Sequence, residues 1–336
     1  MLNSLKIGGK FLDQPLLVSK FKKAVPKIFV GGALMYGYKE TEKAPEQDKS
    51  KVRLNTAVIL GTTVATSLAA PRIAAKVVNK PYERYLARDI IAKNTELVDT
   101  FVKSTKNLSE PVKQVLEKSK TKVLKYSEIK LLDKDLSKTK KGKKFFNTLI
   151  PEPENITSKD IISEIGRLSV LGAIPVVGGI AGGLAGEKLT TGSLSKEKSA
   201  NRVKEGAYQY LANIFMCNVG AAGALGILEK MKVKSKAARV AGMVGGIIAT
   251  GIVGGSAIAN YIGRKVINPI FDKDKNKSSD RRPEVLDICL HSDDIATIAV
   301  MSGLKWIEPS LPILYGISGY RAGIGYRNKK VQKTDD

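Results

Sequence analysis

The chain has 336 residues, with 56 Lys and Arg against 32 Asp and Glu, a formal net charge of +24, one His, two Cys and 43% apolar residues. His291, Cys217 and Cys289 are too few for a Cys-rich zinc site, a disulfide framework or a multi-histidine metal centre, so no metal and no cofactor is expected. The positive charge points to an anionic partner, either lipid headgroups or nucleic acid.

Residues 1–24 alternate Leu, Ile and Phe with Lys, and they have neither the apolar stretch nor the small-residue cleavage site of a signal peptide. The pattern predicts an amphipathic helix at the membrane surface, with a lysine-rich tail as the alternative. Residues 28–38 form a short apolar run behind Lys27. Four longer runs contain no Asp, Glu, Lys or Arg: 54–71, 168–186, 206–228 and 240–263, of 18, 19, 23 and 24 residues. A helix needs about 20 apolar residues to cross a hydrocarbon core. Residues 295–320 form a sixth segment, interrupted by Lys305 and Glu308.

Buried helices of a soluble all-α protein would give similar runs, and glycine decides between the two readings. Residues 240–263 contain seven glycines, each unfavourable by about 0.5–1 kcal/mol in a helix exposed to water. In hydrocarbon the backbone bonds internally in any case, and glycine lets helices approach closely. Small residues recur four apart at Gly61, Ala65 and Ala69, at Gly178, Gly182 and Gly186, at Gly242 and Gly246, and at Gly251 and Gly255.

The chain also resembles itself. At an offset of 189, residues 28–82 align without a gap on 217–271 with 14 identities over 55 positions, among them Val30, Gly31 and Gly37 with Val219, Gly220 and Gly226. At an offset of 137, Pro175, Gly179, Gly182 and Gly186 recur as Pro312, Gly316, Gly319 and Gly323. The difference in offset corresponds to extra residues in the first half. Three helices per copy would turn the second copy upside down relative to the first. The short connections carry 15 Lys and Arg on one proposed face and 17 on the other. Such near-equality fits an inverted duplication and also fits hairpins that do not span.

Residues 83–160 hold 18 Lys and Arg and 12 Asp and Glu, with apolar residues at helical spacing on either side of a break near 109–111, which predicts two amphipathic helices. Lys138, Lys140, Lys141, Lys143 and Lys144 fall within seven residues and suit anionic headgroups, with a solvated lysine face as the alternative. Nucleic acid ranks lower because few aromatics accompany the lysines.

No Ser, Cys or carboxylate arrangement has hydrolase or glycosidase spacing, and His291 beside Asp293 and Asp294 reads as a loop or cap, so no enzyme is expected. Transporters place sites at proline-broken helices in matching positions of their repeats. The candidate pathway is therefore Pro175, Gly178 and Gly179 with Pro312 and Gly316, together with Lys305 and Glu308 paired three apart.

The expected organisation is an amphipathic segment (1–24), helices 1 and 2 (25–82), a lysine-rich helical insert (83–160), helix 3 (161–188), helices 4 and 5 (206–271) and helix 6 (295–326). The fold class is all-α: a polytopic transmembrane protein of two inverted three-helix repeats, crossing the bilayer five or six times. It is expected in the cytoplasmic (inner) membrane with the insert on the cytoplasmic side, in contact with anionic headgroups and with copies of itself. Transport or channel activity fits this organisation. The alternatives are a non-transporting scaffold whose insert recruits lipid or a partner, and a protein that inserts hairpins to form pores.

Overall fold

The structure is a computed structural model that describes residues 2–79, 82, 84–151, 157–271, 280–282, 284 and 305–326. His291, Cys289, Asp293, Asp294 and residues 295–304 of the sixth predicted segment lie outside the described residues. Among the described residues 85% are helical and none is in a strand. In chain order the helices are α1 (Leu2–Leu12), α2 (Pro15–Glu42), α3 (Lys49–Val77), α4 (Ala87–Lys103), α5 (Glu110–Thr121), α6 (Tyr126–Leu136), α7 (Lys140–Leu149) and α8 (Ser158–Thr191). There follow α9 (Lys196–Tyr210), α10 (Met216–Lys230), α11 (Lys236–Ile247), α12 (Ser256–Ile262), α13 (Asn268–Phe271) and α14 (Leu311–Ile324). The chain divides into two compact units, one of Met1–Lys27, Glu83–Ile156 and Ala296–Ser310, the other of Ile28–Tyr82, Thr157–Ile295 and Leu311–Asp336.

The first unit has the interior of a water-soluble domain. Its helices carry apolar residues at helical spacing, which bury Val98, Phe101, Leu116, Leu124, Ile129, Leu132, Phe146 and Leu149 in one cluster. Phe101 and Phe145 stack with ring centroids 3.8 Å apart. Among its described residues the insert contains four helices: α4 and α5 lie where the two were predicted, on either side of a break before Glu110, and α6 and α7 are additional. The extra ends are marked by local side-chain bonds that compete with helix continuation. The Thr139 hydroxyl accepts the Gly142 N–H at 3.0 Å to cap α7, and the Glu128 carboxylate accepts the Lys125 N–H at 2.6 Å to start α6.

The amino-terminal helix is committed to the same core. Ile7 is buried in it. The buried Lys10 ammonium donates to the Asn147 amide oxygen and to the Ile150 carbonyl, both at 2.9 Å, at the carboxyl end of α7 where a cation is favoured. Gln14 fixes the entry to α2 by donating to the Leu124 carbonyl at 2.9 Å and accepting the Leu124 N–H at 2.6 Å. A segment expected at the membrane surface is thus held by contacts inside a folded domain.

Among the described residues the second unit contains four helical rods long and apolar enough to cross a membrane: Glu46–Val77, Ser158–Thr191, Lys196–Lys230 and Ala238–Phe271. The third joins α9 to α10 through a π-helical turn at Leu211–Phe215, and the fourth joins α11 to α13 through π-helical stretches at Ile248–Gly255 and Gly263–Ile267. At 34 residues α8 is about 51 Å long, more than a hydrocarbon core requires. Half of the apolar window of α8 and of α9–α10 is buried, against 33% for α3 and 29% for α11–α13, so α8 and α9–α10 form the middle of the bundle.

Glycine contacts fix the direction of each neighbour. Gly178, Gly182 and Gly186 of α8 face Thr66, Thr62 and Asn55 of α3 in turn, so these helices are antiparallel. Gly172 faces Ile214 and Gly206 faces Ile180, which makes α9–α10 antiparallel to α8. Gly242 faces Leu228 and Gly255 faces Ala212, which makes α11–α12 antiparallel to α10 and α9. By contrast, Gly179 faces Gly319 and Gly183 faces Gly323, so α14 runs parallel to α8.

The inverted repeat is not shown by this packing. Inversion gives the third helices of the two copies opposite senses, and α8 and α14 share one. The matched first helices also pack differently: Gly220 abuts Gly246 and Thr250, while a Cβ at its counterpart Gly31 would meet nothing within 4 Å. Identities between such segments are what shared demands for small and apolar residues produce, and they do not require equivalent packing.

Candidate functional site

Five of the seven residues predicted to form a pathway lie on α8 and α14, and Pro175 and Gly179 lie at the crossing of the two helices. Neither helix is broken there. α8 continues through Pro175, and Pro312 occupies the first turn of α14, where the missing N–H leaves no helical bond unmade. The predicted unwinding is therefore replaced by close contact. A Cβ on Gly179 would overlap the Gly319 carbonyl, one on Gly319 would overlap the Pro175 carbonyl, and one on Gly183 would overlap the Gly323 carbonyl. Gly178 turns to the other side, against Thr66 of α3, and Gly316 meets the Phe29 ring and the Ser67 hydroxyl. Backbone touches backbone along this seam, and it has no room for a methyl group, still less for a solute.

Lys305 and Glu308 do not join it. Both lie in a 3₁₀ turn, Lys305–Ser310, which groups with the first unit. The Glu308 carboxylate there accepts the Tyr85 hydroxyl at 3.1 Å, and the neighbouring Trp306 N–H donates to Asp13 at 3.2 Å. Glu308 therefore lies in the turn before the apolar helix α14 and not within it.

A different polar assembly fills the second unit. Glu205, Gln209 and Asn213 lie four apart on α9 and its π-helical turn, all buried. Gln209 donates to Glu205 and Asn213 donates to Gln209, each at 2.8 Å. Around Glu205 the buried Arg281 and Arg321 approach at 3.3 and 3.7 Å, and both reach Glu284 at 4.0 Å. The Tyr326 hydroxyl donates to Glu284 at 2.9 Å. The Arg281 guanidinium lies 4.8 Å from the Tyr208 ring and 5.1 Å from the Tyr326 ring. Beside this network the buried Arg202 pairs with Glu187 and donates to the Gly323 carbonyl at 2.9 Å. Each of these buried arginines thus faces at least one carboxylate: Arg202 faces Glu187, while Arg281 and Arg321 share Glu205 and the partly exposed Glu284.

Sequence reasoning missed this network because its members come from α8, α9, α14 and residues 281–284. The one local signal was the four-residue spacing of Gln209 and Asn213 behind Glu205, inside an otherwise apolar run. At the other end of the bundle Glu229 accepts the Ser158 hydroxyl at 2.5 Å and pairs with Arg239 at 2.9 Å, joining α8, α10 and α11.

The lysine run divides by partner. Lys138 pairs with Asp135 at 2.7 Å, and its ammonium holds the Asp135 carboxyl below its usual range. Lys141 donates to the Ser104 carbonyl at 2.7 Å. Lys140, Lys143 and Lys144 project outward because Gly142, Phe145, Phe146 and Leu149 occupy the buried face of α7. Among the described residues no cluster of His, Cys, Asp and Glu has the composition to hold a metal ion.

Compared with protein-family models, curated proteins and solved structures, the chain matches none. Its function must be read from its own geometry.

Proposed function

We propose that the chain is a non-catalytic integral-membrane scaffold, in which a closed helical bundle carries a lysine-rich helical domain. The observation that supports this most is the α8–α14 crossing, where backbone contact occupies the place a transport pathway would need. The Arg–Glu network supports it too, since it ties α8, α9 and α14 together and gives Arg202, Arg281 and Arg321 each a carboxylate. Under this reading the partners are the bilayer, its anionic headgroups and further copies of the chain. The protein resides in the inner membrane with the insert on the cytoplasmic side.

Transport is the second reading, and the buried Glu205–Gln209–Asn213 ladder beside a π-helical turn favours it, because ionisable and polar residues inside a span mark ion and proton routes in other membrane proteins. The two readings part in reconstituted proteoliposomes. The scaffold predicts retention after alkaline carbonate extraction and proton and potassium leak equal to that of protein-free vesicles. A leak abolished by Glu205→Gln would establish the transport reading instead.

A further inference from the structure

Three lysines of α5 are neutralised in place: Lys113 by Glu110 at 3.5 Å, Lys118 by Glu128 at 2.5 Å, and Lys120 by Asp99 and Glu117, both at 2.6 Å. α7 contains four lysines and no acidic residue. Its Lys141 ammonium donates to the Ser104 carbonyl at 2.7 Å and lies 6.0 Å from the Phe101 ring, which brings the last turn of α4 against the first turn of α7. That junction adds the exposed Lys103 and Lys106 to the exposed Lys140, Lys143 and Lys144. Among the described residues none of these five is in an ion pair.

We infer that this junction, made by Lys103, Lys106, Lys140, Lys143 and Lys144, is a surface that docks on the anionic headgroups of the bilayer in which the chain is embedded. The inference rests on the anchored-domain reading above and assigns its lipid contact to specific side chains. It differs from the run visible in the sequence, because Lys138 is neutralised by Asp135 and Lys103 and Lys106 arrive from 34 or more residues away.

Three features select a membrane surface over nucleic acid. The neighbouring aromatic rings, Phe101, Phe145 and Phe146, are buried, so no base-stacking platform is offered. All five cations are lysines, compact point charges suited to a laterally mobile headgroup layer and without the fork that grips a single phosphate. The chain's own apolar rods hold it in a bilayer, so headgroups are present at high effective concentration.

The test uses the full chain in nanodiscs of phosphatidylcholine alone or of phosphatidylcholine with phosphatidylserine, read by hydrogen exchange of the amides of residues 140–144. Phosphatidylserine is expected to slow exchange, by about fivefold for each lysine engaged, and added salt to reverse the effect. Replacing Lys103, Lys140, Lys143 and Lys144 together by Gln should abolish the dependence on phosphatidylserine. Lys113→Gln with Lys120→Gln, which alters paired lysines, should leave it intact. Equal exchange in the two lipids overturns the inference, as does protection that survives the fourfold substitution. Protection conferred by RNA or an acidic polypeptide, with none from phosphatidylserine, also overturns it and assigns the surface to that partner. A leak in proteoliposomes would remove the scaffold reading without changing any of these outcomes.

Discussion

In the first unit Phe146 and Leu116 are sealed among side chains of their own size, whereas in the second the tightest packing belongs to glycines, with large apolar side chains such as Val253 and Ile270 about 70% exposed. The two regions solve different problems. Water drives apolar side chains together, so a small domain is held by burying large ones. Hydrocarbon offers no such drive, so helices associate by backbone approach and by polar contacts that have nowhere else to go. The Gly179–Gly319 contact and the Glu205 network are the second solution. The stacked Phe101 and Phe145 are the first.

Substitutions should therefore break one region and spare the other. Leu at both Gly179 and Gly183 would press into the carbonyls of Gly319 and Gly323. Overpacking costs about 1–3 kcal/mol per site, so the pair should remove on the order of 5 kcal/mol and separate α14 from α8. Thermal unfolding in detergent, with hydrogen exchange resolved by region, should show the loss in α8 and α14 and unchanged protection in α4–α7. Uniform loss across both regions would show that they are not independent.

Phe146→Ala is the converse. It should cost about 3–5 kcal/mol and unprotect the amides of α4–α7. The apolar rods remain, so the chain should still resist carbonate extraction. Release from the membrane would show that the domain, and not the rods, retains the protein.

The smallest effect is electrostatic and confined to the domain. Burial pushes the Glu128 carboxyl up, but the Lys118 ammonium and the Lys125 N–H outweigh it and hold the group below its usual 4.5. A folded-state value below the unfolded one adds stability that is complete above about 4.5 and is lost as pH falls through the folded value. The pair is partly exposed, so its contribution is under about 1 kcal/mol. Glu128→Gln should flatten the acid limb of domain unfolding while leaving its neutral-pH midpoint nearly in place. An unchanged acid limb would remove Glu128 from the account.

Much of this contrast could be read in advance. The charge-free runs at 54–71, 168–186, 206–228 and 240–263 coincide with the four apolar rods, because a hydrocarbon span is a local property of composition. The lysine-rich insert was visible as helical, but its division into four helices depended on Thr139 and Glu128 finding nearby backbone donors. The proposed pathway was legible only as a list of residues. Pro175, Gly179, Gly316 and Pro312 look alike whether a helix unwinds or two helices touch, and only the neighbours at Gly319 and Gly323 decide between them.

By itself the sequence determined that the chain is helical, where the apolar middles of its rods lie, and that its positive charge is concentrated in the connections and the insert. These follow from hydropathy, glycine content and charge spacing, which act over a few turns of one helix. Tertiary structure decided the direction in which α14 meets α8, the closure of their crossing, the meeting of Glu205 with Arg281 and Arg321, and the junction of α4 with α7 that gathers five lysines. Each joins residues far apart in the chain. Their energies come from contact distances and shared burial, which composition and periodicity do not encode.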